Sequence, residues 1–353
     1  MRALLRFAVL VIIVGAAAAF ALNWFGRELA RPGPNQAENI VYIAPGTGVR
    51  AMAQMLAQEG IIREPLLFLA AVRIEGVESK LKAGEYQMPA AISLGDVVEK
   101  IASGTVFRRD VTLPEGLWSS EIKQIINGAP AMNGTIAQTP AEGSILPETY
   151  AYIRGEDREK LLAQAQKAMD ETLARAWELR ASGLPFASKE EALILASIVE
   201  KETGVAAERP RIAGVFINRL RAGMMLQSDP TVIYAVTHGE SKLDRVLYAH
   251  LAVDSPYNTY RHAGLPPGPI CNPGKAAIAA VLNPEANDFL YFVADGKGGH
   301  VFAKTMVEHN ANVARFRTVQ QAERAARKAA EAGAAQGVEQ AGQKAVDTAP
   351  KAP

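Results

Sequence analysis

The residues best equipped for chemistry lie on one short stretch, 188–204, and on four loops that follow it. Ser188 with Glu191 three residues later forms a capping box, so a helix should begin there. Gly204 suits a left-handed residue closing that helix. At about 100° per residue, Ile194, Leu195, Ile198 and Val199 share one stripe. Glu202 projects into the middle of that stripe, while Glu200 points to the far side and reads as a solvated face. A carboxyl among apolar neighbours is poorly solvated, which favours its neutral form. The free carbonyls of a helix C-terminus push the same way. Glu202 is therefore expected to be a proton donor near neutral pH. Glu208 either orients it or caps the next helix.

The loops supply polar and aromatic groups. Residues 225–231 bring Gln227, Ser228 and Asp229 ahead of a proline, and residues 255–261 group Tyr257, Asn258, Thr259 and Tyr260. Residues 263–275 form a proline-stiffened loop, and residues 295–302 are rich in glycine. Amides, hydroxyls and aromatic faces together suit a sugar. Tyr257 to Tyr260 equally suit a half-buried strand with a turn. Ser228 lacks a Gly-x-Ser-x-Gly elbow and is a poor nucleophile. Lys297 is followed by Gly298 where a phosphate loop needs Ser or Thr, so the glycine-rich loop reads as a hairpin turn between residues 290–294 and 301–302.

Several classes fall away on composition. A formal net charge of +1 over 353 residues lacks the footprint of a nucleic-acid binder. The single cysteine, Cys271, forms no intrachain disulfide and belongs to no metal-binding cluster, and the five histidines show no helical pairing. Neither a metal nor another cofactor is expected.

Among the elements that carry these groups, residues 7–25 are an uncharged apolar run close to the ~20 residues that span a bilayer. Trp24 and Phe25 suit an interfacial belt. Such a run is either a retained anchor or, given the small residues Ala19 and Ala21, a cleaved signal. Residues 1–6 would then be cytoplasmic, and both readings export the rest. Residues 26–38 read as a Pro/Gly linker. A strand–turn–helix pattern follows three times: from residues 41–43 to a helix ending at Gly60, from 85–88 through Ser93 and Asp96 to 94–104, and from 111–113 to 119–128. These short strands must pack on one another. A long amphipathic helix covers 160–180, and a second helix of the active region runs from Arg209 to Arg221, with Pro210 in its first turn. The Ala-rich stretch 319–353 is low in complexity and read as a frayed, disordered tail. The fold class is α+β.

The blocks LASIVEKET (195–203), VFINRLRAGMMLQSDPTVIY (215–234), YNTY (257–260), GLPPGPICNPG (264–274) and YFVADGKGGH (291–300) closely resemble the MltG (YceG-like) endolytic murein transglycosylases. LPEG (113–116), LPETY (146–150) and the apolar N-terminus extend the resemblance to about residue 317. It implies a LysM-like subdomain over 39–105, a catalytic domain over 106–318, and a catalytic Glu directly before Thr, which is Glu202. It further implies lytic cleavage of the β-1,4 bond between N-acetylmuramic acid and N-acetylglucosamine in nascent peptidoglycan strands, with a 1,6-anhydro product that ends elongation. Gln227, Tyr257, Asn258 and Thr259 are the expected sugar-holding residues, and Asp229 is the best candidate for a supporting carboxylate. The expected location is the bacterial inner membrane, single-pass, with the catalytic part periplasmic and peptidoglycan synthases as partners. A lysozyme-like muramidase and a non-catalytic LysM-like glycan-binding scaffold are the alternatives. Cys271 departs from the family pattern and is a candidate oxidation site in an exported protein.

Overall fold

The computed structural model describes residues 2–243, 245–322 and 324–325. In chain order the elements are α1 (Arg2–Ala30), β1 (Asn39–Ile43), α2 (Val49–Gln58), α3 (Pro65–Ile74), β2 (Gly84–Met88), α4 (Leu94–Ser103), β3 (Arg109–Thr112), α5 (Ser119–Gly128), β4 (Thr149–Tyr152), α6 (Arg158–Glu178), α7 (Lys189–Glu202), α8 (Arg209–Arg221), α9 (Asp229–Thr237), α10 (Tyr248–Leu251), α11 (Lys275–Leu282), β5 (Tyr291–Ala294) and β6 (His300–Ala303). Residues 306–322 are also helical. Most of the Ala-rich stretch lies outside the described residues.

The chain divides into two compact units, both α+β. The first is the chain to Val111 with Ala129–Gly134 and Tyr150–Arg158, and the second is Thr112–Gly128, Thr135–Thr149 and the chain from Glu159. The return of 129–134 and 150–158 to the first unit is absent from the boundaries expected at 105 and 106.

In the first unit β1 pairs antiparallel with β2, Val41 opposite Tyr86. Val41, Ile43, Leu56, Phe68, Tyr86, Met88, Val97 and Ile101 form its core. The cap on α4 is as its sequence requires: Ser93 Oγ accepts the Asp96 backbone N–H at 3.2 Å. Gly104 ends that helix at φ +72°, a conformation that costs glycine no Cβ clash. A helix not foreseen in the sequence, α3, lies between the first strand–helix pair and β2, with Pro65 in its first turn.

The stretch 26–38, expected as a linker, is helical over 26–30 and irregular over 31–38. Residues 26–30 continue α1, and Phe25 and Leu29 pack on the core of the first unit. Beyond them Gly33 N donates to Ala91 O at 3.1 Å, Ala91 N to Asn35 O at 2.7 Å, and Asn35 Nδ2 to Pro89 O at 2.6 Å. Arg63 Nη1 donates to Pro32 O at 2.6 Å. Local composition reads as a spacer because these partners are far away in the sequence. α1 is long and apolar enough to cross a membrane over Leu4–Ala30.

In the second unit α7 is the central rod. Every residue from Ala192 to Val199 is buried, and α8, α9 and α11 pack around it. Ser188 Oγ accepts the Glu191 N–H at 3.4 Å, and the Glu191 carboxylate reaches back to Ala187 N at 2.6 Å. β5 and β6 form an antiparallel hairpin with Ala294 opposite His300. Its turn is closed by Asp295 Oδ1, which accepts Lys297 N–H at 2.6 Å and Gly299 N–H at 3.0 Å.

Candidate active site

Glu202 is the last residue of α7. The chain then leaves the helix through Thr203 in extended conformation, φ −143°. Gly204 is not left-handed, contrary to expectation: Thr203 Oγ1 accepts the Val205 N–H at 2.9 Å and turns the chain itself. The Glu202 carboxyl is enclosed by protein, although the residue keeps partial exposure. Ser228 Oγ donates to Glu202 Oε1 at 2.5 Å.

Ser228 is itself held from all sides. Its N–H donates to Thr259 Oγ1 at 3.0 Å, and its carbonyl accepts Thr231 Oγ1–H at 2.6 Å. Thr231 and Thr259 share a hydroxyl bond at 2.8 Å, and Gln227 N donates to Thr259 O at 3.1 Å. The 225–231 and 255–261 loops are thus laced together beneath the carboxyl. Arg219, buried on α8, donates to the carbonyls of Leu226 at 2.7 Å and Leu290 at 2.6 Å, tying this lacing to β5.

Electrostatics follow from the geometry. Burial, the largest influence, lifts the Glu202 pKa to about 7; the Ser228 hydrogen bond opposes it, Asp229 adds to it by repulsion, and the nearby His300 and Arg219 oppose it. Asp229 Oδ1 accepts the Tyr260 hydroxyl at 2.7 Å, and burial with that bond pushes the Tyr260 phenol up. Glu208 contacts His300, with one oxygen on Nδ1 at 2.7 Å and the other accepting the His300 N–H at 3.0 Å. It therefore orients a histidine near Glu202.

The four expected sugar-holding residues separate into two pairs. Gln227 is exposed and held at φ +51°, a costly conformation for a residue with a Cβ and one that clusters at functional sites. Tyr257 is half-buried against Tyr234, ring centroids 4.8 Å apart. Asn258 and Thr259 are 0% and 1% exposed. Asn258 Nδ2 donates to the carbonyls of Leu251 at 3.1 Å and Val253 at 2.8 Å, and its Oδ1 accepts the Tyr260 N–H at 3.0 Å. Asn258 and Thr259 spend their side-chain bonds inside the loop, as buried polar groups must. The loop consists of turns, without the strand its alternation allowed.

Glu200 is the clearest correction. Its side chain is 4% exposed and pairs with Arg209 Nη2 at 3.1 Å. Its other oxygen accepts the Gly274 N–H at the start of α11, at 2.9 Å. Burial raises its pKa, and the Gly274 bond and Arg209 offset part of the rise. The far side of α7 is covered by α8 and α11, so it is a second core face. Glu142 lies in a comparable setting: it accepts Ser119 N–H at 3.0 Å and Ser119 Oγ–H at 3.2 Å. Burial raises it to about 7 against those bonds. Cys271 is fully buried and its thiol donates to Ser197 O at 3.3 Å, with burial pushing the thiol up. It is not open to oxidants as the sequence suggested.

Ser228 and His300 are the two site residues that sequence reasoning left out. In sequence Ser228 stands out only as a nucleophile without an elbow. Its position between Gln227 and Asp229 was the available signal. His300 closes the glycine-rich hairpin, and nothing in its local sequence links it to Glu208. Among the described residues, no group of three or more His, Cys, Asp or Glu side chains converges as metal ligands would.

The YceG-like family matches residues 41–315, which include both loops, α7 and the hairpin. An endolytic murein transglycosylase of Bacillus subtilis (strain 168) is 34% identical over 322 residues, covering 81% of this chain and 87% of that protein. An endolytic murein transglycosylase of Streptococcus pneumoniae (strain D39) is 28% identical over 78% of this chain; the match spans 57% of the pneumococcal protein's own length. The crystal structure of a yceG-like protein from Listeria monocytogenes aligns with a TM-score of 0.51 at 30% identity, over 78% of this chain and 99% of that one. With matches of this extent across sequence and fold, the chain belongs to the YceG-like family.

Proposed function

We propose that this chain is a membrane-anchored lytic murein transglycosylase in which Glu202 serves as both acid and base. The observation that carries the reading is one enclosed carboxyl, poised at about 7 and bonded to Ser228. The names of the Bacillus and pneumococcal relatives supply the substrate class, peptidoglycan. Glu202, protonated, gives its proton to the glycosidic oxygen between N-acetylmuramic acid and N-acetylglucosamine as the C1–O bond breaks. The Ser228 hydroxyl stabilises the resulting carboxylate. Glu202 then takes the proton of the muramyl C6 hydroxyl while that oxygen bonds to C1, closing a 1,6-anhydro ring without consuming water. A hydrolase would pair the acid with a second carboxylate. Here the Asp229 carboxylate is taken by the Tyr260 hydroxyl, and its negative charge favours the oxocarbenium-like centre from a distance. Gln227 and Tyr257 keep the exposure needed to meet the glycan.

The reading extends to the rest of the chain. The first unit is LysM-like, supported by two helices, α2 and α3, set between two antiparallel strands. α1 anchors the protein in the inner membrane with the working part in the periplasm, cleavage falls within nascent strands, and peptidoglycan synthases are the partners that such a location favours. The test is murein digestion by the full chain and by Glu202→Gln, with products resolved by mass spectrometry. Anhydro-terminated muropeptides from the parent and none from the variant are expected. Reducing-end products from the parent, or an undiminished rate from the variant, would overturn the assignment.

A further inference from the structure

The helix that the sequence did not announce, α3, carries a face the fold does not use. Phe68, Ala71 and Val72 point into the core of the first unit. On the other side Leu66 is 75% exposed and Ile74 65%. With the half-exposed Ala70 they fall at i, i+4 and i+8 along one outward side, which also carries the exposed Arg73, while Leu69 turns back onto the core. A helix at a water-exposed surface carries mostly polar residues on that side, whereas here Arg73 is the one charged group within the helix. A short apolar helix with large side chains facing out has the pattern of a segment lying in a membrane interface.

Its position supplies the occupant. Glu64 and Leu67, at the start of α3, line the same cleft as Glu28 and Arg31 of the α1 end. Glu75 and Val77, just past its other end, share a second cleft with Gly26, Leu29 and Ala30. Phe25 and Leu29 pack on the same core that α3 buries itself in. Residues 31–35 are pinned by the hydrogen bonds given above, so no slack separates the span from the unit. At a rise of about 1.5 Å per residue, residues 26–30 carry the chain about 7.5 Å past the apolar run. The headgroup layer on each side of a bilayer is about 5–7.5 Å deep.

We propose that α3 rests on the surface of the bilayer that α1 crosses, with Leu66 and Ile74 entering the boundary between headgroups and acyl chains. Arg63 and Arg73 are equal in number to Glu64 and Glu75 around the helix, so the segment carries no net charge and the contact needs no anionic lipid. The inference rests on α1 being a retained membrane helix.

The test uses the full chain in phosphatidylcholine vesicles, with a fluorophore on Leu66→Cys or on Ile74→Cys; Cys271 is buried and does not compete for label. Flotation with the vesicles reads the anchor separately. For an interfacial helix, brominated acyl chains should quench both labels, while iodide in the buffer should quench them about fivefold less than the free dye. Floating protein whose labels are quenched by iodide as freely as the dye overturns the α3 contact and leaves the anchor standing. Labels shielded from both quenchers mean that protein covers α3, which also overturns it. Chain that fails to float removes the anchor and the proposal with it.

Discussion

Replacing Ser228 with Ala removes one hydrogen bond from the Glu202 carboxylate while leaving the backbone bond from Ser228 N to Thr259 in place. A hydrogen bond to a charged group is worth about 1.5–3 kcal/mol. At 1.36 kcal/mol per unit, losing it should raise the Glu202 pKa by about 1–2 units from about 7. The acid form must be present for the first step, so the parent rate should fall as pH rises through 7 and the variant rate should fall about 1–2 units later. At pH 8 about a tenth of parent sites would hold the proton, against about half to nine-tenths in the variant. The assay is the initial rate of anhydro-muropeptide formation from pH 5 to 9, at substrate well below KM, with thermal unfolding as a control for folding. An alkaline limb that stays in place or moves to lower pH would refute the role given to Ser228.

Four further outcomes follow from the same geometry. Because Glu202 is raised when folded, its stabilising contribution is complete below about 4.5 and lost as pH rises through about 7; Glu202→Gln should remove about 3 kcal/mol from the parent's stability difference between pH 4 and 8, read by denaturant unfolding. Glu142→Gln should flatten the same profile, with the same sign, while leaving the anhydro product unchanged. Glu200→Ala strands Arg209 beside the weaker Glu115 contact and should destabilise the protein by about 3 kcal/mol in equilibrium unfolding, without changing which product forms. Thr259→Val leaves the Ser228 N–H without its acceptor and should cost about 1–3 kcal/mol of stability. A sugar-holding role for Thr259 predicts instead a raised KM with normal melting.

What the sequence made legible was local. The Ser188 cap, the bounds of α7 and α8, the Ser93 cap and the β5–β6 hairpin follow from residues within a few positions of one another. The enclosed acid at Glu202 was legible too, because its neighbours on the helix are apolar. What escaped depends on partners distant in sequence. Glu200 looked solvated until Gly274 and Arg209 closed over it. The burial of Asn258 and Thr259 was not legible because burial of a polar loop is decided by what packs on it, not by its composition. The segment after α1 looked like a spacer because Asn35 finds its carbonyl 54 residues away. α3 carried a usable cue, Pro65 ahead of the apolar run 66–72, but that run shows no helical alternation because both its faces are apolar.

The central placement of α7 decides how substitutions along it can be interpreted. From Ala192 to Glu200 there is no side where a change of size or polarity is absorbed by solvent. A scan of that helix should show nearly uniform intolerance, and a screen for lost activity would mark Glu200 as strongly as Glu202. The two are distinguished only by what survives folding: a folded but inactive protein at position 202, and scarce protein with unaltered chemistry at position 200.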